Sequence, residues 1–373
     1  MMAKADGEGI QAVQGVPTKS PTGVLCSRAA WLCDFFAIMK IGLILTAGNP
    51  RANVDLAVRA DAAGFSSVLS IEFFNQHAFA VLGAIAQATE RIQIGTGIAN
   101  AFTRSPLVHA NAAMDLDDLS NGRMILGLGS GTRKMNTDWW GMPFGRPASR
   151  MREQVRLIRE IFAAGDGFGF RFEGEFWQLQ IPAFSRPGAR ADMPIWVAAV
   201  NAPMMRAAGA VADGLVGHPI ATRRWHREQT LPTLRAAEDK AGRPSGACRL
   251  VPYVMTSIHA DRERAIANAK KQIGFYYTSK LYHTILEPHG MLEVGEKCRA
   301  ALRTFDINAM AAAVPDELVD EIAIAGTADE ARDRLALWDD LCDEVLLYAP
   351  SVGVARGDLA DNHAAMFEVF GTG

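Results

Sequence analysis

The sequence predicts an α/β protein, a (β/α)8 TIM barrel with insertions at the C-terminal mouth. Three observations carry this. From Met39 onward one unit recurs: a short continuous apolar run, a loop with Gly, Asn, Thr or Ser, then an amphipathic helix. Continuous rather than alternating apolar runs mark strands covered on both faces, as in a parallel sheet. Eight such units fill the chain, matching a fold that needs about 250 residues before insertions. The turn after the first strand, Thr46-Ala47-Gly48-Asn49-Pro50, lacks the G-x-G-x-x-G of an open doubly wound sheet.

Taken in order, strands are expected near 40–45, 67–71, 91–98, 123–128, 194–199, 213–217, 249–257 and 343–348. Helices follow near 51–63, 77–89, 106–120, 147–164, 202–212, 224–241, 261–274 and 357–370. Residues 1–38 carry Gly, Gln, Pro, Thr and Ser without a sustained period and read as a disordered or loosely docked extension, with Met39 as a candidate natural start. The barrel then occupies 39–373. One insertion, near 166–192, holds two alternating runs around Glu173-Gly174, the pattern of a β-hairpin. The other, near 275–342, opens on Phe275-Tyr276-Tyr277. Both are expected over the mouth, where loops build sites.

Composition removes several function classes. With 38 Lys+Arg against 41 Asp+Glu spread along 373 residues, no basic stripe awaits a phosphate backbone, and no nucleic acid partner is expected. The apolar run Ala29–Met39 is about half the length a bilayer requires and contains Asp34, so neither a membrane span nor a secretory signal is expected and the chain reads as cytoplasmic. Five isolated cysteines suggest neither a disulfide framework nor a zinc site.

A barrel of this kind keeps its chemistry at the carboxyl ends of the strands. Those ends offer Thr46 and Asn49, Ser70 and Glu72, Gly97, Asn100 and Thr103-Arg104, Gly129-Ser130-Gly131-Thr132-Arg133-Lys134, Asn201, His218, and Ser257 with His259. They lack the paired histidines of a metal hydrolase, the lysine of a Schiff-base aldolase and the second carboxylate of a glycosidase. No metal is therefore expected, and a mouth so poor in ionisable groups suits a cofactor that brings its own chemistry. Glycines 129 and 131 either admit a ligand to the backbone or merely turn the chain. Asn201 and Pro203 suit a helix start, whose free amides can bind phosphate. Glu72 and His218 are the candidates for proton transfer. Phe73-Phe74 and Trp139-Trp140 either wall a flat pocket or pack beneath the loops.

Several stretches together resemble the bacterial luciferase-like superfamily, and within it the coenzyme F420-dependent oxidoreductase branch. They are Thr89-Glu90-Arg91-Ile92-Gln93-Ile94-Gly95-Thr96-Gly97-Ile98-Ala99-Asn100, Arg104-Ser105-Pro106, Asp115 to Arg123, Leu126 to Gly131, and Ala208-Gly209 with Ala212-Asp213-Gly214. The resemblance spans residues 39–350 or so. It implies an isoalloxazine-type ring over the strand ends and a non-prolyl cis peptide near Gly97–Ile98. It also places the cofactor's contacts at Gly97, Ile98, Asn100, Gly129, Ser130, Gly131, Asn201, Ala202 and Met204, with the phosphate at the helix start Asn201–Met205. The implied activity is hydride transfer between F420 and a small organic substrate. Two alternatives stand beside it: an FMN-dependent monooxygenase using oxygen, and a non-catalytic cofactor-binding protein. Family analogy also implies a homodimer. Many relatives carry a histidine just after strand two, where this chain has Glu72-Phe73-Phe74.

Overall fold

The computed structural model describes residues 39–167, 169–186 and 189–372; the expectation of a disordered extension over 1–38 lies outside them. Eight parallel strands close into a barrel: β1 (Lys40–Leu45), β2 (Ser67–Ser70), β3 (Gln93–Thr96), β4 (Met124–Gly129), β5 (Ile195–Ala198), β6 (Gly214–Gly217), β7 (Arg249–Ile258) and β8 (Glu344–Tyr348). Each pairs with its sequence neighbours, β8 returns to β1 through Ile41↔Val345, and β4 pairs β5 through Gly127↔Trp196. No strand edge is left open in this ring.

The helices alternate with the strands as expected: α1 (Pro50–Ala62), α2 (Ala78–Ala88), α3 (Pro106–Leu119), α4 (Pro147–Ala163), α5 (Ala202–Val211), α6 (Leu231–Lys240), α7 (Arg262–Tyr277) and α8 (Arg356–Phe370). Their starts are written locally. Asn49, Ser105 and Asn201 each cap a helix by accepting a first-turn amide, and a proline follows at the first or second position, where its missing N–H costs nothing.

The barrel interior is a filled core. Ile44, Leu69, Ile125, Trp196, Val251 and Leu346, from six different strands, are fully buried in it. Each fully buried side chain of this size contributes about 2 kcal/mol. At the amino-terminal end, Glu344 closes the floor by accepting from Ser66 and Ser67, at 3.1 and 2.8 Å.

The first insertion contains the expected hairpin, Phe170–Glu173 antiparallel to Gln178–Ile181. Glu153 of α4 accepts the amides of Phe176 and Trp177 at its tip, both at 2.8 Å, holding it at the rim of the mouth. The second differs from expectation. Its opening stretch, through Tyr282, reaches the mouth, but Leu292–Leu302 and Ile307–Ala312 pack on α7. Ala323–Gly326 adds a strand to the far half of β7, from Met255↔Ala323 to Ile258↔Gly326. Apolar helix faces bury most area against the nearest helix, which draws this segment outward rather than across the opening.

Candidate functional site at the barrel mouth

Between β3 and β4 the ladder breaks and resumes. The Gly97–Ile98 peptide is cis, as the sequence resemblance implied, and pairing restarts at Ala99↔Leu128 and Asn100↔Gly129. The Gly97 carbonyl accepts from the Tyr253 hydroxyl at 2.6 Å. Gly127 and Gly129 make room for this irregular segment. A Cβ on Gly127 would lie 2.0 Å from the Thr96 carbonyl oxygen, and one on Gly129 2.4 Å from Ile98 Cδ1. The glycine pattern of β4 thus serves packing first, a reason the sequence alone left open.

Gly131 does turn the chain, at φ +60°, and a Cβ there would sit 2.9 Å from Asn100 Nδ2. Asn136 fastens the same turn by donating to the carbonyls of Ser130 and Thr132, at 2.8 and 2.9 Å. Ser130 donates its hydroxyl to the Gly131 carbonyl at 3.1 Å. Left-handed backbone and this close approach together make a branched residue costly. Gly131→Val is expected to lower stability by about 2 kcal/mol and to displace Asn100, so that thermal unfolding and cofactor titration both shift. An unchanged unfolding temperature would show the turn to be more plastic than its geometry.

Glu72 is locked. It forms an ion pair with Arg104, whose second Nη donates at 2.9 Å, and it accepts the Asn100 amide at 2.9 Å. Its side chain is 6% exposed. Burial pushes the carboxyl up, but the Arg104 guanidinium and the Asn100 amide outweigh it and hold Glu72 below the usual carboxylate range. Arg104 also touches His77 at 2.9 Å and lies over Phe79. Glu72 therefore anchors the β3 loop as a carboxylate. In the candidate role of proton transfer it would act from the carboxylate form, with both oxygens already engaged.

Asn201 accepts the Met204 amide at 3.0 Å, and its carbonyl takes the Met205 amide. Pro203 has no N–H, so Ala202 holds the one first-turn amide of α5 without such a bond among the described residues. The Met204 side chain is 3% exposed and belongs to the core between barrel and helices. The expected phosphate cradle is thus narrower than the sequence suggested: Asn201 and Ala202 remain exposed at the rim, while the Met204 side chain is withdrawn from it.

On the opposite side, His218 leaves the end of β6 and packs between two tyrosines, with centroids 4.9 Å from Tyr276 and 4.3 Å from Tyr282. Packing against these rings desolvates much of it, and burial pushes the imidazole down to about 3. His218 is neutral at physiological pH, and its Nδ1 is buried without a hydrogen-bond partner. In the candidate role of proton transfer it would start from the neutral imidazole. Tyr276 and Tyr348 share a hydrogen bond of 2.9 Å, and Tyr348 stacks on Tyr253 at 6.3 Å. Burial raises all four phenols, Tyr282 to about 12, so the wall is uncharged. Tyr348 ends the eighth apolar run, so its place at the mouth is readable in the sequence. Tyr276 and Tyr282 belong to the insertion expected over the mouth, and their contact with His218 comes from the packing of α7 and the turn after it.

Phe73, Phe74 and Trp139 form an exposed cluster at the rim, with centroids 4.7 to 5.4 Å apart. They stand exposed rather than packed beneath the loops. Of the other strand-end candidates, Thr46 faces His363 at 3.3 Å, Asn49 caps α1 and His259 accepts the Asp261 amide. His109 and His226 are buried, with imidazoles pushed down to about 4 and 3.

A closed barrel whose loops build one mouth, with a locked ion pair on one side and a neutral tyrosine wall on the other, is a (β/α)8 barrel of the enzyme type. The chain belongs to the luciferase-like monooxygenase family, whose sequence profile matches residues 34–344, and it is an oxidoreductase of that family. It is 34% identical over 282 residues to an uncharacterised protein of Mycobacterium tuberculosis, covering 74% of this chain and 83% of that one. A putative coenzyme F420-dependent oxidoreductase of the same organism is 27% identical over 323 residues, covering 81% and 92%. Among solved structures, the coenzyme F420-dependent tetrahydromethanopterin reductase from Methanopyrus kandleri shares the fold, with a TM-score of 0.73 and 24% identity over 88% of this chain and 97% of that chain. Among the described residues no helix is long and apolar enough to cross a membrane.

Proposed function

We propose that the chain is an F420-dependent oxidoreductase that transfers a hydride between a deazaflavin and a small, uncharged organic substrate. The observation that carries this is the mouth itself: one wall of neutral rings facing a carboxylate already committed to Arg104. Such a site offers contact and orientation, while the redox chemistry comes with the cofactor. Similarity to a relative named for coenzyme F420 supports the choice of deazaflavin over FMN.

The residues present fit such a group. Asn100 Nδ2 is a buried donor without a partner, and the absence of a Cβ on Gly131 lets it lie close to that backbone. Asn100, Ser130 and Gly131 would hold the ring's polar edge, with Asn201 and Ala202 nearer the tail. A bound deazaflavin supplies a two-electron hydride donor or acceptor. The chain's own groups do the rest. The Glu72–Arg104 pair fixes the loop that carries Asn100. The hairpin at 170–181 and the Tyr276–Tyr282 segment exclude water from the opening. Neutral His218 has one N–H to offer as a hydrogen bond, and that proton is not acidic.

Titrating F420 and FMN into the same purified sample, followed by cofactor fluorescence, tests the reading. F420 is expected to bind, and reduced F420 to be consumed with enones, aldehydes or ketones. Tight FMN binding with no F420 binding would put the oxygen-using monooxygenase first. Cofactor binding without turnover on any such substrate would leave a carrier protein.

A further inference from the structure

The wall of the mouth opposite Glu72 is more specific than a general apolar surface. Its groups come from three places: His218 from β6, Tyr348 from β8, and Tyr276 and Tyr282 from α7 and the turn after it. Tyr276 packs against the barrel's interior cluster, which puts it over the strand ends rather than on the outer surface. His218, Tyr276 and Tyr282 are each partly exposed, so a ligand in the mouth can reach them.

We propose that Tyr276, Tyr348 and His218 form the subsite for the substrate's oxygen, and that Tyr282 backs it, so that the substrate is an uncharged ketone, aldehyde or the corresponding alcohol. This rests on the mouth being the oxidoreductase site. Three observations support it. The Tyr276 and Tyr348 hydroxyls share one hydrogen bond of 2.9 Å and Tyr348 also bonds Ser351; when Tyr348 donates to Tyr276, the Tyr276 proton is left for a ligand. The Nδ1 atom of His218 is buried and unpartnered, a state that costs free energy until a ligand or a rearrangement satisfies it. The wall itself offers no formal charge, which disfavours burying an anion against it. Arg104, the charged group facing it from the β3 loop, is engaged by Glu72.

On the β2 turn, Glu72 has both oxygens occupied, and Phe73 and Phe74 present only apolar rings.

Isothermal titration of the full-length chain with cyclohexanone and with cyclohexanecarboxylate, in the presence and absence of F420, tests this. Cyclohexanone is expected to bind at least tenfold tighter than the carboxylate. Tyr276→Phe and Tyr348→Phe keep each ring and remove only the hydroxyl. Each is expected to weaken cyclohexanone about three- to tenfold while the protein stays folded at the assay temperature and F420 affinity holds. No binding of cyclohexanone, equal binding of the carboxylate, or full affinity in both phenylalanine variants would overturn the subsite. If F420 fails to bind but the ketone pattern appears, the cofactor reading falls and the subsite stands. If F420 binds and the ketone pattern is absent, only the subsite falls.

Discussion

Replacing Gly127 with alanine is expected to lower stability by about 3 kcal/mol and the unfolding temperature by about 5 °C. The added Cβ would meet the Thr96 carbonyl oxygen at 2.0 Å, and that oxygen belongs to the barrel backbone, which cannot swing aside as a side-chain tip can. The same Thr96 grips Gly127 twice through its hydroxyl, donating to the carbonyl at 2.6 Å and accepting the amide at 2.9 Å. Relieving the clash breaks both bonds where β3 has already left its regular ladder. Gly83 of α2 is the internal comparison, because a Cβ there meets no atom within 4 Å. Gly83→Ala should stabilise by about 0.5–1 kcal/mol, since alanine loses less backbone freedom in a helix. Thermal melts of the two variants side by side separate packing from glycine flexibility. Similar shifts in both would remove the packing argument.

The second large effect is Arg104→Ala. It leaves the Glu72 carboxylate, 6% exposed, with the Asn100 amide and no cation. Breaking a buried pair in this way costs about 3–5 kcal/mol, or roughly 7 °C here. The pH dependence gives the effect its signature. In the parent, Glu72 sits below its ordinary value of 4.5, so its contribution is present above pH 4.5 and is lost as pH falls through the lowered value. Without Arg104, burial dominates and the folded value moves above 4.5. The unpaired carboxyl then favours the folded state only below pH 4.5, and its penalty grows as pH rises. The difference between parent and variant should therefore be large at pH 7 and small near pH 4. A difference equal at both would mean that Arg104 acts through packing on Phe79, 5.3 Å from its guanidinium, and not through charge.

Both variants probe the loop after β3, where sequence and structure part company most usefully. The glycines at 127 and 129 stand out in the sequence, but a glycine marks only the lack of a side chain. Whether that space is filled by a ligand or by Ile98 is set by a segment some thirty residues away in sequence. Glu72 likewise reads as a strand-end carboxylate suited to proton transfer. Its charge state depends on Arg104, delivered by a different loop, and no local pattern announces the pair. His218 shows the reverse case: its place at the mouth follows from the end of β6, but its neutrality comes from rings on α7 and beyond.

The sequence by itself determined the order of eight strands and eight helices, the helix starts at Asn49-Pro50, Ser105-Pro106 and Asn201, and the hairpin at 170–181. All are local: an apolar run, a capping side chain and a turn act within a few residues, and the local order of residues specifies them. Only the tertiary structure decided which mouth residues are charged, which are free and which face each other. Those properties arise from burial and from partners distant in sequence. Desolvation and pairing act across space, so the chemistry of Glu72, His218 and the tyrosine wall was set when the barrel closed.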